Sequence, residues 1–194
     1  PDRELACAPL DSELGRRYLG AMRAGINCAL ANRQILTHLT RRIFASLLPD
    51  ASLDLLYDVS HNTCKEEQHQ VDGQTRRLFV HRKGATRAAK GDTGIIPGSQ
   101  GSASYIVRGK GNPESFSSCS HGAGRLLGRK QAQRELDLAR EQAHLVQKNI
   151  LHSLRGKKDL DEAPGAYKNI EQVIACQQDL VDIVEILEPL AVIK

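Results

Sequence analysis

Apolar residues recur at helical spacing near the start of the chain: Tyr18, Met22, Ile26 and Leu30, then Leu36, Leu39, Ile43 and Leu47. Steps of three and four residues line them along one side of one long helix, or of two shorter ones. Asp11-Ser12 offers the N-cap, and Pro49-Asp50 ends the run. The period then changes. Residues 53–59 (Leu-Asp-Leu-Leu-Tyr-Asp-Val) read as a strand, and 67–80 alternates about Asp72-Gly73, a pair that favours a two-residue type I′ hairpin turn. The opening segment therefore reads as scaffold, and the strands carry the chemistry.

The first strand would deliver Ser60-His61-Asn62 at its C-terminal end, where sites are often built. The hairpin would end in His81-Arg82-Lys83-Gly84-Ala85-Thr86-Arg87, a basic cluster with glycine, suited to closing on phosphate. His61 and His81 are candidate metal ligands, although no HxH or HxxxH pair accompanies them. Residues 94–102 form a glycine- and serine-rich loop that could bring backbone N–H groups to a ligand, and it runs into a strand at 103–107. It is neither a Walker A loop nor a GxGxxG turn.

The densest chemistry is Ser120-His121-Gly122-Ala123-Gly124-Arg125, continuing to Arg129. A helix starting near Ser120 and running past Leu145 would put Arg125 and Arg129 on one face with the imidazole, beside a positive helix N-terminus. That arrangement describes a phosphate site. A histidine capping a basic, solvated helix is the plain alternative. Further on, Gly156 reads as a C-cap, residues 163–167 as a loop, and Asn169 with Gln172 as the capping box of a last helix over 170–184.

Charge supports a polyanion. The chain of 194 residues carries net +4, but the window from Arg76 to Arg134 holds twelve Lys or Arg against Asp92 and Glu114. That window is +10 and the remainder is −6. With no Trp and 4% aromatic residues, base stacking on aromatic side chains is not the expected mode of nucleic-acid binding. Five cysteines without CxxC spacing suggest reduced thiols in the cytoplasm. No apolar run approaches a membrane span, and the start, Pro-Asp-Arg-Glu, is neither a signal peptide nor an initiating Met, so something upstream is expected to have been removed or never attached.

Five ordered motifs carry a resemblance over nearly the whole chain. They are Tyr57-Asp58-Val59-Ser60-His61-Asn62, residues 81–87, Ile96-Pro97-Gly98-Ser99 with Ser104-Tyr105, His121-Gly122-Ala123-Gly124-Arg125, and Ala163-Pro164-Gly165-Ala166-Tyr167. Together they resemble the C-terminal half of the RtcB-type RNA-splicing ligases. The resemblance implies an α+β fold, a mixed sheet with flanking helices, of which residues 1–194 form a single region. It implies a GTP- and Mn²⁺-dependent RNA ligase of the cytoplasm that joins 2′,3′-cyclic phosphate or 3′-phosphate ends to 5′-hydroxyl ends. The RNA would be tRNA halves or broken RNA, and an activator protein is a possible partner. A non-catalytic RNA-binding module and another histidine-nucleophile transferase or phosphatase remain alternatives.

In that scheme His121 matches the nucleophile that takes GMP, and His61 matches a metal ligand. Asn62, Ser99, Ser104, Tyr105 and Tyr167 match positions around the nucleotide, with Gly122, Ala123 and Gly124 beside His121 and Lys194 closing from the chain end. Lys83, Arg87, Arg125 and Arg129 match positions for RNA phosphate. The family's other metal ligands belong to an N-terminal half that this chain lacks. Gln100 stands where Met is usual, Gly128 where Ser is usual, and the connector from Arg87 to Gly94 is short.

Overall fold

The computed structural model describes residues 2–193, and the chain divides into two units, Pro1–Lys83 and Gly84–Lys194. Lys194, expected at the nucleotide, lies outside the described residues. A run of strands follows the first α-helix before the next α-helix begins, an α+β arrangement.

After a 3-10 turn at Arg3–Leu5, the first unit runs into one long helix, α1 (Glu13–Leu47), not two. Ser12 is its N-cap, its hydroxyl accepting from the Gly15 amide at 3.0 Å. Only Gly15 of this helix is buried. Large apolar side chains at Leu14, Leu36, Ile43 and Leu47 are exposed. Residues 53–59 form no strand. A strand needs a ladder partner, and among the described residues none pairs with this segment, whose Leu53, Leu55 and Leu56 are exposed. Polar contacts fix it to α1 instead: Arg33 pairs with Asp58 and donates to the Ser60 hydroxyl at 3.2 Å, and Arg41 donates to the Leu53 carbonyl at 2.8 Å.

The hairpin forms as its turn residues require. Strands β1 (Asn62–Val71) and β2 (Gln74–Lys83) pair antiparallel in full register from Asn62↔Lys83 to Val71↔Gln74. Asp72 and Gly73 both take positive φ, 51° and 74°, the left-handed pair of a type I′ turn. A carboxylate is locked across the ladder. The Arg82 side chain, 2% exposed, donates to both oxygens of Glu67 at 2.6 and 2.8 Å, and the His69 ring meets the same carboxylate at 2.9 Å. The hydrogen bond from Arg82 is the main reason the Glu67 carboxyl is held down to a pKa of about 2, against burial.

Among the described residues, the second unit distributes its strands over three small sheets. β3 (Ala85–Arg87) pairs with β6 (Ser118–Ser120), and β4 (Thr93–Ile96) pairs with β5 (Ser104–Gly109). β7 (Leu151–His152) pairs in parallel with β9 (Ala191–Val192). The other edge of β5 takes β8 (Val181–Leu187), with a bulge at Ile106/Val107. The core beneath gathers Ile96, Tyr105, Val107, Cys119, Ala123, Ile170 and Ile174. Two expectations change here. Residues 94–96 are a strand, so the glycine- and serine-rich loop is confined to 97–103. The last helix, α4 (Ile170–Ala175), stops well before 184, although the Asn169 side chain caps it by accepting from the Gln172 amide at 3.1 Å. The β-branched run Val181, Ile183, Val184 and Ile186 follows β5 instead.

The largest correction concerns the histidine motif. Ser118–Ser120 is a strand, residues 121–128 are irregular, and helix begins only at α2 (Arg129–Glu135), followed by α3 (Leu138–Gln147). Gly124 sits at φ 73°, outside the right-handed helical region. The Ser120 hydroxyl does not cap a helix but donates to the Gly122 carbonyl at 2.7 Å. Gly156 likewise precedes a 3-10 helix over Lys157–Glu162 and does not end α3; a second such turn spans Pro164–Ala166.

Candidate active site

His121 is positioned by strand pairing, not by a helix. The β3–β6 ladder places Ala85 opposite Ser120, and the next residue, His121, donates its amide to the Gly84 carbonyl at 3.4 Å. Its ring lies over Gly84: a Cβ built there would sit 3.7 and 3.8 Å from Cδ2 and Nε2. The loop beyond is pinned from three sides. Ala123 donates to the Pro97 carbonyl at 2.9 Å, Lys168 donates to the Gly124 carbonyl at 3.0 Å, and Leu126 donates to the Ala166 carbonyl at 2.9 Å. The half-buried imidazole is therefore held on a well-tied turn.

Three adjoining cavities extend through this unit. The first, about 660 Å³, is lined by His121, Gly122, Ala123 and Gly124 together with Lys168 and Asn169. Sequence reasoning missed Lys168 as a site residue and took Asn169 only as a cap. The second, about 650 Å³, shares Leu126, Lys168 and Asn169 and adds Ser99, Ser102 and Tyr167. The third, about 460 Å³, is lined by Gly98, Ser99, Gln100, Glu162, Tyr167 and the segment before the chain end.

The residues expected around the nucleotide fall into different environments. The loop over 98–102 is closed on itself. The Gly98 amide donates to Ser104 Oγ at 3.3 Å, the Ser99 amide to Ser102 Oγ at 2.7 Å, and the Gly101 amide to Ser99 Oγ at 3.3 Å. Those N–H groups are committed inside the loop and are not presented to a ligand. Tyr105 is buried in the core, so its side chain acts on the site through packing. Asn62 opens β1 in the first unit, and it lines a cavity of about 500 Å³ with His61, Ser60 and Arg33. His61 precedes β1, at the start of a strand and not the end of one. Among the described residues no three His, Cys, Asp or Glu side chains gather as a metal site. This chain's residues do not by themselves fit a manganese centre.

The cations differ sharply. Lys83 ends β2 and is exposed. Arg87 is tied to Asp92 at 2.7 Å across the short connector. Arg125, 27% exposed at its side chain, is heavily engaged: it donates to the Leu127 carbonyl at 3.0 Å, to Tyr167 Oη at 3.0 Å, to Glu162 at 3.1 Å and to the Asp161 carbonyl. Its guanidinium also lies 4.9 Å over the Tyr167 ring. Arg129 is 73% exposed and touches Glu162 through Nε alone, at 3.0 Å.

Glu162, which no sequence pattern singled out, is the hub: Tyr167 also donates its hydroxyl to it. Burial pushes the Glu162 carboxyl up, but the hydrogen bonds from Tyr167 and Arg129 and the charges of both arginines outweigh it and hold the group below its ordinary range. Burial and then the carboxylate push the Tyr167 phenol up.

The His121 ring and Lys168 thus line one cavity beside the Gly122–Gly124 turn. Comparison with known proteins gives the family. A family model described as tRNA-splicing ligase RtcB matches residues 1–194. RNA-splicing ligase RtcB of Mycobacterium tuberculosis, and likewise that of Mycobacterium bovis, is 44% identical over 211 residues, covering 100% of this chain and 48% of the relative. tRNA-splicing ligase RtcB of Pyrococcus horikoshii is 40% identical over 217 residues, covering 100% of this chain and 25% of the relative. The chain belongs to the RtcB family. It spans about half the length of the mycobacterial relatives. Among the described residues no helix is long and apolar enough to cross a membrane.

Proposed function

We propose that this chain is the nucleophile-bearing half of an RNA ligase that joins a 3′-phosphate or 2′,3′-cyclic phosphate end to a 5′-hydroxyl end at the expense of GTP. The observation that carries the reading is His121 on a strand-held glycine turn, lining a cavity of about 660 Å³ with Lys168 and Asn169. A neutral imidazole is a nucleophile near pH 7. Its nitrogen would attack the α-phosphorus of GTP, an N–P bond forming as the bond to the β-phosphate oxygen breaks and pyrophosphate leaves. The GMP would pass to the RNA 3′-phosphate, and the 5′-hydroxyl would then displace it. Ser99 and Tyr167 line the cavities next to His121 and suit the nucleotide.

Manganese would need ligands beyond His61. Substrates of the tRNA-half type and a cytoplasmic setting accord with the relatives' names and with five free cysteines. The test is joining of two labelled RNAs with defined 3′-phosphate and 5′-hydroxyl ends by the complete protein. A joined product that requires GTP is expected. Tight RNA binding with no joining and no nucleotide adduct would favour a non-catalytic binding module.

The two arginines expected to take phosphate together are assigned different tasks. Arg129 has free Nη groups at the surface and is the phosphate contact. Arg125 holds Tyr167 and Glu162 in place. Arg129→Ala is expected to lower the slope of log affinity against log salt for single-stranded RNA by about 0.7. Arg125→Ala should leave that slope in place and cost about 1–3 kcal/mol of stability, because Glu162 and Tyr167 lose a partner. Equal loss of slope in both variants would return Arg125 to the phosphate.

A further inference from the structure

A second basic cluster lies outside the +10 window, and the fold brings it against the end of that window. α2 carries Arg129, Lys130 and Arg134. The segment packed on α2 carries Arg155, Lys157 and Lys158, the last two opening the Lys157–Glu162 helix. Ala132 and Leu160 are wholly buried, one from each element, and Gln133 donates its side-chain amide to the Lys158 carbonyl at 3.0 Å. Burial then sorts the charges on these two segments by sign. All six cations are exposed. The acids Asp159, Asp161 and Glu162 are half-buried. Asp159 accepts from the Arg155 and Gly156 amides at 2.9 Å each, and Glu162 holds Arg125 and Arg129. Glu135 is the one exposed carboxylate on these segments, and it accepts from Gln131 at 3.1 Å. Lys130, Arg134, Arg155, Lys157 and Lys158 make no side-chain ion pair among the described residues.

We propose that this face of α2 and the 157–162 helix is a binding site for the sugar-phosphate backbone of single-stranded RNA, seating the strand that flanks the reacting end. The proposal rests on the RNA-ligase reading above. Unpaired, solvated cations in a contiguous patch gain free energy from a polyanion by releasing its counterions. The patch is continuous with the site, because Arg129 bonds Glu162, which lines the same cavity as Ser99 and Tyr167. An anionic membrane is the weaker fit. Neither segment exposes a large apolar side chain, and interfacial binding needs apolar anchorage besides charge.

The test is the quadruple variant Lys130→Ala, Arg134→Ala, Lys157→Ala, Lys158→Ala in the complete protein. Affinity for a labelled single-stranded RNA bearing a 3′-phosphate is followed from low to high potassium chloride. If each lost side chain contacts one phosphate, the slope of log affinity against log salt becomes shallower by about 3 units. Transfer of GMP from labelled GTP to the protein needs no RNA and should stay at the parental level. An unchanged slope overturns the proposal. Parental protein that takes no label refutes the ligase reading instead, and the slope still judges the patch. Vesicles containing phosphatidylserine form the last arm: binding that the variant loses, with the RNA slope unchanged, assigns the patch to lipid and overturns the RNA site. The smaller change Lys157→Gln with Lys158→Gln, both exposed, should give about half the shift and keeps the question answerable if the quadruple variant does not fold.

Discussion

Replacement of His121 by alanine in the complete protein is expected to abolish GMP transfer from GTP, by at least about three orders of magnitude, while leaving the melting curve close to that of the parent. The chemistry gives the size of the loss. Alanine offers no atom to form the N–P bond, so the two-step route through a covalent intermediate is closed. The structure gives the small structural effect. The ring is half-buried at a cavity wall, and the bond from its backbone amide to the Gly84 carbonyl is one that alanine keeps. Adduct formed at the parental yield would remove His121 from the mechanism and move the search to Lys168 and Cys176, nucleophile-capable side chains that line the same cavity.

The second large effect falls on stability. Arg82→Ala should destabilise the hairpin unit by about 3–5 kcal/mol, because it leaves the Glu67 carboxylate, only 14% exposed, without the guanidinium that both its oxygens accept from. The same pair sets a pH dependence. The Glu67 carboxyl sits at about 2 in the fold against an ordinary 4.5. The folded value is the lower one, so the stabilisation is complete above the unfolded value and is lost as pH falls from about 4.5 towards 2. Urea midpoints measured across that range should fall steeply in the parent and less steeply in Arg82→Ala. Superimposable unfolding curves for the two proteins at pH 7 would show that the pair contributes little.

Local signals were legible in the sequence, and long-range ones were not. The 3.6-residue period and Ser12 gave α1, and Asp72-Gly73 gave the hairpin, since each signal lies within a few residues of what it determines. Helical spacing after His121 misled because Leu126, Leu127 and Leu136 fit a helix that Gly124, at φ 73°, does not enter. Residues 181–187 followed a capped helix in sequence, yet their ladder partner on β5 lies more than seventy residues earlier. The histidine and its glycine turn stood out in the sequence, and the structure places them at the wall of a cavity. Glu162 was not: it meets Arg125 and Arg129 across 37 and 33 residues, and a carboxylate among scattered cations carries no motif. The self-closure of the serine loop was equally hidden, since Ser99 and Ser102 read as donors to a ligand as readily as to their own amides.

The long helix has a practical consequence. At 35 residues and 1.5 Å per residue it extends about 50 Å, and its apolar residues from Leu14 to Leu47 stand largely uncovered. A strip of that length invites self-association when these 194 residues are produced alone. Aggregation or a concentration-dependent sedimentation coefficient of these residues would then report on the bare strip, and it should not be taken for the assembly state of the complete protein.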